Sequence, residues 1–184
     1  MKRDTRQELI EATATCIKTK GYYGTGITEI IETVGVPKGS LYHHFKKGKD
    51  ELVEAALDFL AQKQSEKFVS VMKGKPNAAE ALKAVVDTFK SQDNAQIIEG
   101  CPLATLTLEV SGSNEKMRKA CSAQYDYWQK GIEDYLVYKN IPEAAQKAES
   151  FFVQLEGALL LSRAHQNPKY LEQLKSQIEN LINT

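Results

Sequence analysis

The stretch richest in chemistry runs from Thr25 to Lys49, TGITEIIETVGVPKGSLYHHFKKGK. Its spacing puts Leu41 and Phe45 on the inner side of a short helix and leaves Lys38, Gly39, Ser40, Tyr42, His43 and His44 outside. Lys38, at the start of that helix, is placed to donate to guanine O6 or N7, and Gly39 lets the backbone come close. Ser40 suits a base or a phosphate, whereas Tyr42, His43 and His44 carry donors at the height of the phosphate backbone. Thr25, Gly26 and Thr28, with the unpaired amides of a preceding helix start, suit a second phosphate, and Lys49 a third. Each phosphate neutralised steepens the salt dependence by a slope of about 0.9.

Those residues need two short helices held at a fixed angle. Gly26 or Thr25 can cap a helix near Ile27–Val34, with Glu29 at its positive end and Ile27, Ile30, Ile31 and Val34 turned inward. Gly35 permits a tight turn and Val36 plugs it, so the pair of helices reads as a helix-turn-helix. A first helix with Leu9, Ala12, Thr13, Cys16 and Ile17 on one face ends at Gly21, and a long helix follows Gly48.

Beyond them the apolar spacing stays helical. Faces read Leu52, Ala56, Phe59 and Leu60, then Leu82, Val85, Val86 and Phe89, then Met117, Cys121, Tyr125, Trp128, Ile132 and Leu136. Two more close the chain, and Pro142 and Pro168 are expected as first helical residues. Asn77 with Glu80 three positions on marks another start. The expectation is an all-α fold of about nine helices, divided at residue 48 into a DNA-binding head (1–48) and a helical remainder (49–184).

Composition agrees with that division. The 184 residues are 42% hydrophobic and 26% charged, which excludes disordered and fibrous classes. Twenty-four basic residues balance twenty-four acidic ones, yet the first 49 residues are net positive by four and the rest net negative by four. Val36–Lys49 holds four lysines and no acid, so the anionic partner belongs at the head. Three cysteines without a CxxC pair favour a reducing compartment. The N-terminus lacks the apolar stretch of a secretory signal, and no apolar run nears the ~20 residues of a membrane span. A cytoplasmic protein without membrane association is expected.

Other chemistries find little support. Adjacent histidines on a helix diverge by about 100°, and no third ligand is suitably spaced, so His43, His44 and Cys16 do not suggest a metal. No G-x-S-x-G, Walker A or H-E-x-x-H sequence occurs, and no enzyme activity or cofactor is expected. Cys101 has no neighbouring cation in sequence to lower its pKa, which favours a turn residue lining a cavity over a redox thiol.

At Gly35-Val36, Leu41-Tyr42, His44-Phe45 and Lys49 the segment resembles the N-terminal domain of TetR-family transcriptional regulators. FKKGKDEL, with its inserted Gly48, and Gly100-Cys101-Pro102-Leu103 followed by Leu108-Glu109 are similar to the LmrA-type branch. The likeness is dense over residues 5–60 and thin afterwards, apart from the GCPL segment. Gly26 stands where many members carry a capping threonine, a change worth only about a few tenths of a kcal/mol.

The resemblance implies a homodimer, a palindromic operator with half-sites about one helical turn apart, and repression relieved by a small molecule. By periodicity alone Phe89, Tyr125, Trp128 and Phe152 are core. The resemblance adds an effector pocket among the middle helices, which these residues would line with Cys101 and Leu106. Glu109, Glu156 and Tyr125 would orient a cationic or hydroxylated effector there. It also implies a dimer interface from the last two helices, at Phe151, Leu155, Gly157, Ala158, Leu159, Leu174, Ile178 and Leu181. The alternative for those helices is that they close the chain's own core. Control of multidrug efflux is implied in the same way. No sequence feature decides between repressor and activator, and the acid-free Val36–Lys49 segment argues against a small-molecule-sequestering protein with a vestigial head.

Overall fold

A computed structural model describes residues 4–89 and 100–183. Nine helices make up the described residues, in the order α1 (Thr5–Gly24), α2 (Ile27–Val34), α3 (Lys38–His44), α4 (Lys49–Met72), α5 (Ala78–Asp87), α6 (Pro102–Val110), α7 (Glu115–Tyr138), α8 (Ala144–His165) and α9 (Lys169–Asn183). The all-α expectation holds, and no strand occurs among the described residues.

The chain divides into two compact units that interleave in sequence. The first takes Met1–Lys63 with Pro102–Gln124, the second Gln64–Cys101 with Tyr125–Thr184. Helices α4 and α7 therefore each contribute a segment to both.

In the first unit, α1 packs on α2, α3 and α6. Leu9, Ile17, Ile30, Leu41, Phe45, Leu52, Leu106 and Met117 are all essentially inaccessible. Burying one such side chain is worth about 1.5–3 kcal/mol, so this small core holds three short helices that could not persist alone. The helix ends are built locally. Asp4 accepts the Gln7 amide at 3.1 Å and starts α1. At the end of α2, Gly35 takes φ 71° and ψ 44°. There the Val36 amide reaches the Ile31 carbonyl at 3.0 Å and the Gly35 amide the Glu32 carbonyl at 3.1 Å, a Schellman ending. Before α4, the Lys47 amide donates to the Glu51 carboxylate at 2.8 Å, which ties the connection to the helix's first turn.

Gly21, expected to close α1, does leave helical geometry, with φ 69° and ψ −169°. One further turn follows it, however, to Gly24, so the glycine is a kink within α1 rather than its end.

The second unit packs α9 against α5 and α8. Its core contains Phe68, Leu82, Val85, Trp128, Ile132, Leu136, Phe151, Leu155 and Ile178. Asn77 caps α5 as expected, accepting the Glu80 amide at 2.8 Å, and Asn167 accepts the Lys169 amide at 2.9 Å beside Pro168. Pro142 is different from expectation. It lies two residues ahead of Ala144, with Glu143 in the left-handed region at φ 54°, so the turn rather than the proline opens α8.

Candidate nucleic-acid interface and effector site

Leu41 and Phe45 anchor α3 from below, at 0% and 1% exposure. That fixes which side faces out: Lys38, Gly39, Tyr42 and His43 are exposed, and Ser40 and His44 are half-buried. The His43 and His44 rings meet edge to face at 5.1 Å, which orients both. Pro37 precedes α3 with extended backbone, and the Ser40 amide turns back to its carbonyl at 2.9 Å. The helix thus presents one cation, one hydroxyl-bearing ring and two imidazoles on a surface without an acidic side chain.

Beside it, Gly26 is exposed and extended at the start of α2, and Thr28 is exposed on its first turn. Gly26 places no capping side chain over the amides of that start, which are the kind of donors a phosphate oxygen takes. Thr25 departs from the expectation. It is 1% exposed, its hydroxyl donates to the Gly21 carbonyl at 2.6 Å, and its amide donates to the Tyr22 carbonyl. Both of its donors are committed inside the protein, so Thr25 braces the clamp instead of forming it.

Lys49 is half-buried, with its ammonium 4.4 Å from the centroid of the Tyr22 ring. Burial holds its pKa below the ordinary lysine range, against the opposing pull of Asp50 and Glu109. Arg6, absent from the expected set, stacks its guanidinium 5.2 Å from the Phe45 ring and is exposed beyond it. That brings a cation from α1 to the end of α3. Its distance in sequence hid it, since only the fold carries residue 6 to residue 45. Lys20, by contrast, is spoken for by Glu29 at 2.5 Å.

In the second unit, Cys101, Tyr125 and Glu156 come together, close enough for each to bear on its neighbours' protonation. Burial drives the Glu156 carboxyl above the ordinary carboxylate range, and the bonds from Cys101 and Tyr125 only partly offset it. The Tyr125 hydroxyl is likewise raised, first by burial and then by its two partners. The Glu156 Oε1 atom is buried without a hydrogen-bond partner. Beside the cluster runs a row of aromatic rings: Tyr125 to Trp128 edge to face at 6.2 Å, Trp128 to Phe68 edge to face at 6.0 Å, and Phe68 to Phe89 tilted at 5.9 Å. Phe68 was not among the expected residues, although continuing the α4 stripe through Leu57 and Ala61 leads to it. Phe152 is buried against Phe151, with ring centroids 5.7 Å apart.

Glu109 and Leu106, expected among the pocket residues, both lie on α6 in the first unit. Leu106 is wholly buried on α6 within the first unit. The Glu109 carboxylate is engaged by the backbone amides of Tyr22 and Tyr23. Periodicity could not foresee this, because α1 and α6 are some 87 residues apart in sequence.

The expected interface residues need the clearest correction. Phe151, Leu155, Leu159, Leu174 and Ile178 are at most 3% exposed, and Ala158 8%, within a single chain. They close the core of the second unit, and a side chain already buried there offers no surface to another copy. Of the expected set only Gly157 is exposed and Leu181 half-buried. The outward apolar stripe on α8 is instead Val153, Gly157, Leu160 and Leu161, with the three large side chains 70%, 60% and 44% exposed. The stripes differ by about half a turn of helix, a phase that both allow when each is apolar.

Among the described residues no group of three or more His, Cys, Asp or Glu is placed to hold a metal, and no helix is long and apolar enough to cross a membrane.

Comparison with known proteins converges on one family. Residues 9–56 match the model for bacterial regulatory proteins of the tetR family, and residues 78–177 the C-terminal domain of LmrA/YxaF-like transcriptional regulators. The HTH-type transcriptional regulator LmrA of Bacillus subtilis is 32% identical, covering 97% of both chains. The HTH-type transcriptional repressor NemR of Escherichia coli is 25% identical over 98% of this chain and 95% of its own. Its reduced-form crystal structure superposes with a TM-score of 0.85 over 99% of this chain and 98% of that one. A TetR-family regulator from Cytophaga hutchinsonii gives 0.81 at 26% identity, over 97% and 92%. With both of its halves matched and its exposed α3 surface in the place of a recognition helix, the chain belongs to the TetR family of DNA-binding transcriptional regulators, with an LmrA/YxaF-like C-terminal domain.

Proposed function

We propose that this regulator is a homodimeric repressor that leaves a palindromic operator when a small molecule binds its C-terminal region. The observation that carries the DNA half is the acid-free outer face of α3, held outward by buried Leu41 and Phe45. In this reading residues 1–48 form the DNA-binding head. Lys38 and Gly39 meet base edges and Ser40 a base or a phosphate; Tyr42, His43, His44, Gly26, Thr28 and Lys49 meet the phosphates. Repression is favoured over activation by the similarity to NemR, itself named a repressor.

The effector half is supported by the cluster of Cys101, Tyr125 and Glu156 beside the row of Trp128, Phe68 and Phe89. A buried carboxyl with one oxygen unpartnered favours a ligand that brings its own N–H or O–H donor, and aromatic walls favour a flat apolar body. An aromatic amine or polyphenol meets both requirements. To act as an inducer it must bind the DNA-incompetent state more tightly than the competent one, since equal affinity shifts nothing. A coupling of about 1.4–2.8 kcal/mol weakens the operator complex roughly 10- to 100-fold.

The dimer uses the outward stripe of α8, in an isologous contact of the commonest kind. Efflux or detoxification genes are the targets this reading favours, and the cytoplasm is its compartment.

The test is a two-part titration. Trp128 is the sole tryptophan, so its fluorescence reports on ligand in the aromatic row directly. A panel of aromatic amines and polyphenols should contain members that quench Trp128 and release a selected operator in the same concentration range. A preference for anionic compounds would refute the assignment of Glu156.

A further inference from the structure

The kink at Gly21 interrupts the hydrogen-bond ladder of α1, and the turn after it starts afresh. The amides of Tyr22 and Tyr23 open that turn, as the first amides of any helix do, and both are received by one carboxylate oxygen, Glu109 Oε2; the Tyr23 bond is 3.3 Å long. The fit is close: a Cβ at Gly21 would overlap the Glu109 carboxylate, and the glycine's positive φ already disfavours any other residue. Glu109 also sits in the last turn of α6, where a helix dipole disfavours an acid. Its seat on the kinked turn supplies compensating donors.

This turn touches the parts of the head that matter. It leads through Thr25 and Gly26 into α2, and the Thr25 hydroxyl ties back to the Gly21 carbonyl at 2.6 Å. The Tyr22 hydroxyl donates to Asp50 on α4, and Lys49 lies over the Tyr22 ring. The Tyr23 hydroxyl pairs with Ser113 at 2.5 Å, in the connection after α6. The end of α6 thus holds the turn at two points, Glu109 from the backbone side and Ser113 from the ring side.

We propose that Glu109 is a positioning residue for DNA binding: by seating the Tyr22 and Tyr23 amides it sets where α2 begins, and so where Gly26, Thr28 and the recognition helix stand. The assignment deepens the operator-binding reading and rests on it.

Three variants test it: Glu109→Met, which removes both acceptors; Glu109→Gln, which keeps one carbonyl oxygen; and Gly21→Ala, which keeps the carboxylate in the chain but forces it off its seat. The selected operator and a scrambled duplex are titrated with each, and amide hydrogen exchange is followed at Tyr22 and Tyr23. Glu109→Met should lose at least tenfold in operator affinity, leave the scrambled duplex within about twofold, and exchange the two amides faster. Glu109→Gln should recover most of the loss, and Gly21→Ala should resemble Glu109→Met. Should Glu109→Met fail to fold, Gly21→Ala alone decides. Faster exchange with undiminished operator affinity would overturn the proposal, as would unchanged exchange. Should the wild type itself enrich no duplex, the DNA reading has failed and this assignment falls with it; the wild-type control tells the two cases apart.

Discussion

The ammonium of Lys49 lies 4.4 Å from the centre of the Tyr22 ring, joining the first residue of α4 to the last turn of α1. The same ring's hydroxyl donates to Asp50, to which Asn114 also donates at 3.4 Å. A cation, a ring and a carboxylate therefore fasten α1 to α4 and to the residue just before α7, at the base of the head.

That fastening has a pH signature. Burial, reinforced by Asp50, pushes the Tyr22 hydroxyl up to about 12. The folded chain holds this proton more tightly than the unfolded chain, so its stabilisation is complete below about pH 10 and is lost as pH rises through about 12. Thermal denaturation should show wild type losing stability faster than Tyr22→Phe across that interval. Parallel curves would mean that the phenol contributes nothing to the junction.

Glu156 gives the opposite end of the scale. Burial raises its carboxyl, so its contribution to stability is complete in acid and is lost as pH rises through the folded value. Above the ordinary carboxylate range this buried carboxyl is therefore a net cost to the fold. Glu156→Gln should raise Tm at pH 7, with the gain shrinking toward about pH 4. It should also abolish quenching of Trp128 by aromatic amines. A lower Tm at pH 7 would show that the carboxylate is paired after all.

Base and phosphate contacts separate by mutation. Lys38→Ala should cost roughly 1–3 kcal/mol on the best operator and relax the preference at one base pair. Tyr42→Phe and His44→Ala should weaken all sequences about equally and flatten the salt slope. Fluorescence anisotropy against single-base operator variants distinguishes the two patterns, and a uniform loss for Lys38→Ala would reverse the assignment.

Two substitutions on α8, one helix face apart, separate interface from core. Leu160→Glu should turn the dimer into a folded monomer in light scattering, because Leu160 is 60% exposed within one chain. Phe151→Ala should instead cost about 3–5 kcal/mol of stability, as a fully buried aromatic does. A dimer unaffected by Leu160→Glu would move the interface elsewhere.

Local signals in the sequence were sufficient for the head. Gly35 needs a left-handed conformation, Leu41 and Phe45 are four apart, and both facts are visible within ten residues. The α7 face from Met117 to Leu136 was legible for the same reason, its period holding over five turns. What escaped was non-local or two-faced. Glu109 meets Tyr22 across 87 positions of sequence, Arg6 meets Phe45 only in the fold, and Thr25 was already occupied by a carbonyl that sequence does not display. On α8 both sides are apolar, so periodicity could not say whether Phe151 or Val153 faced outward. The GCPL segment drew attention to Cys101, but its neighbours Tyr125 and Glu156 come from two other helices and no local pattern joins them.

The most direct test is selection of protein-bound duplexes from a random DNA pool at moderate salt. The account predicts enrichment of an inverted repeat with half-sites about one helical turn apart, lost with Lys38→Ala at one position of each half. A folded protein that enriches no sequence, at low as well as moderate salt, would contradict it.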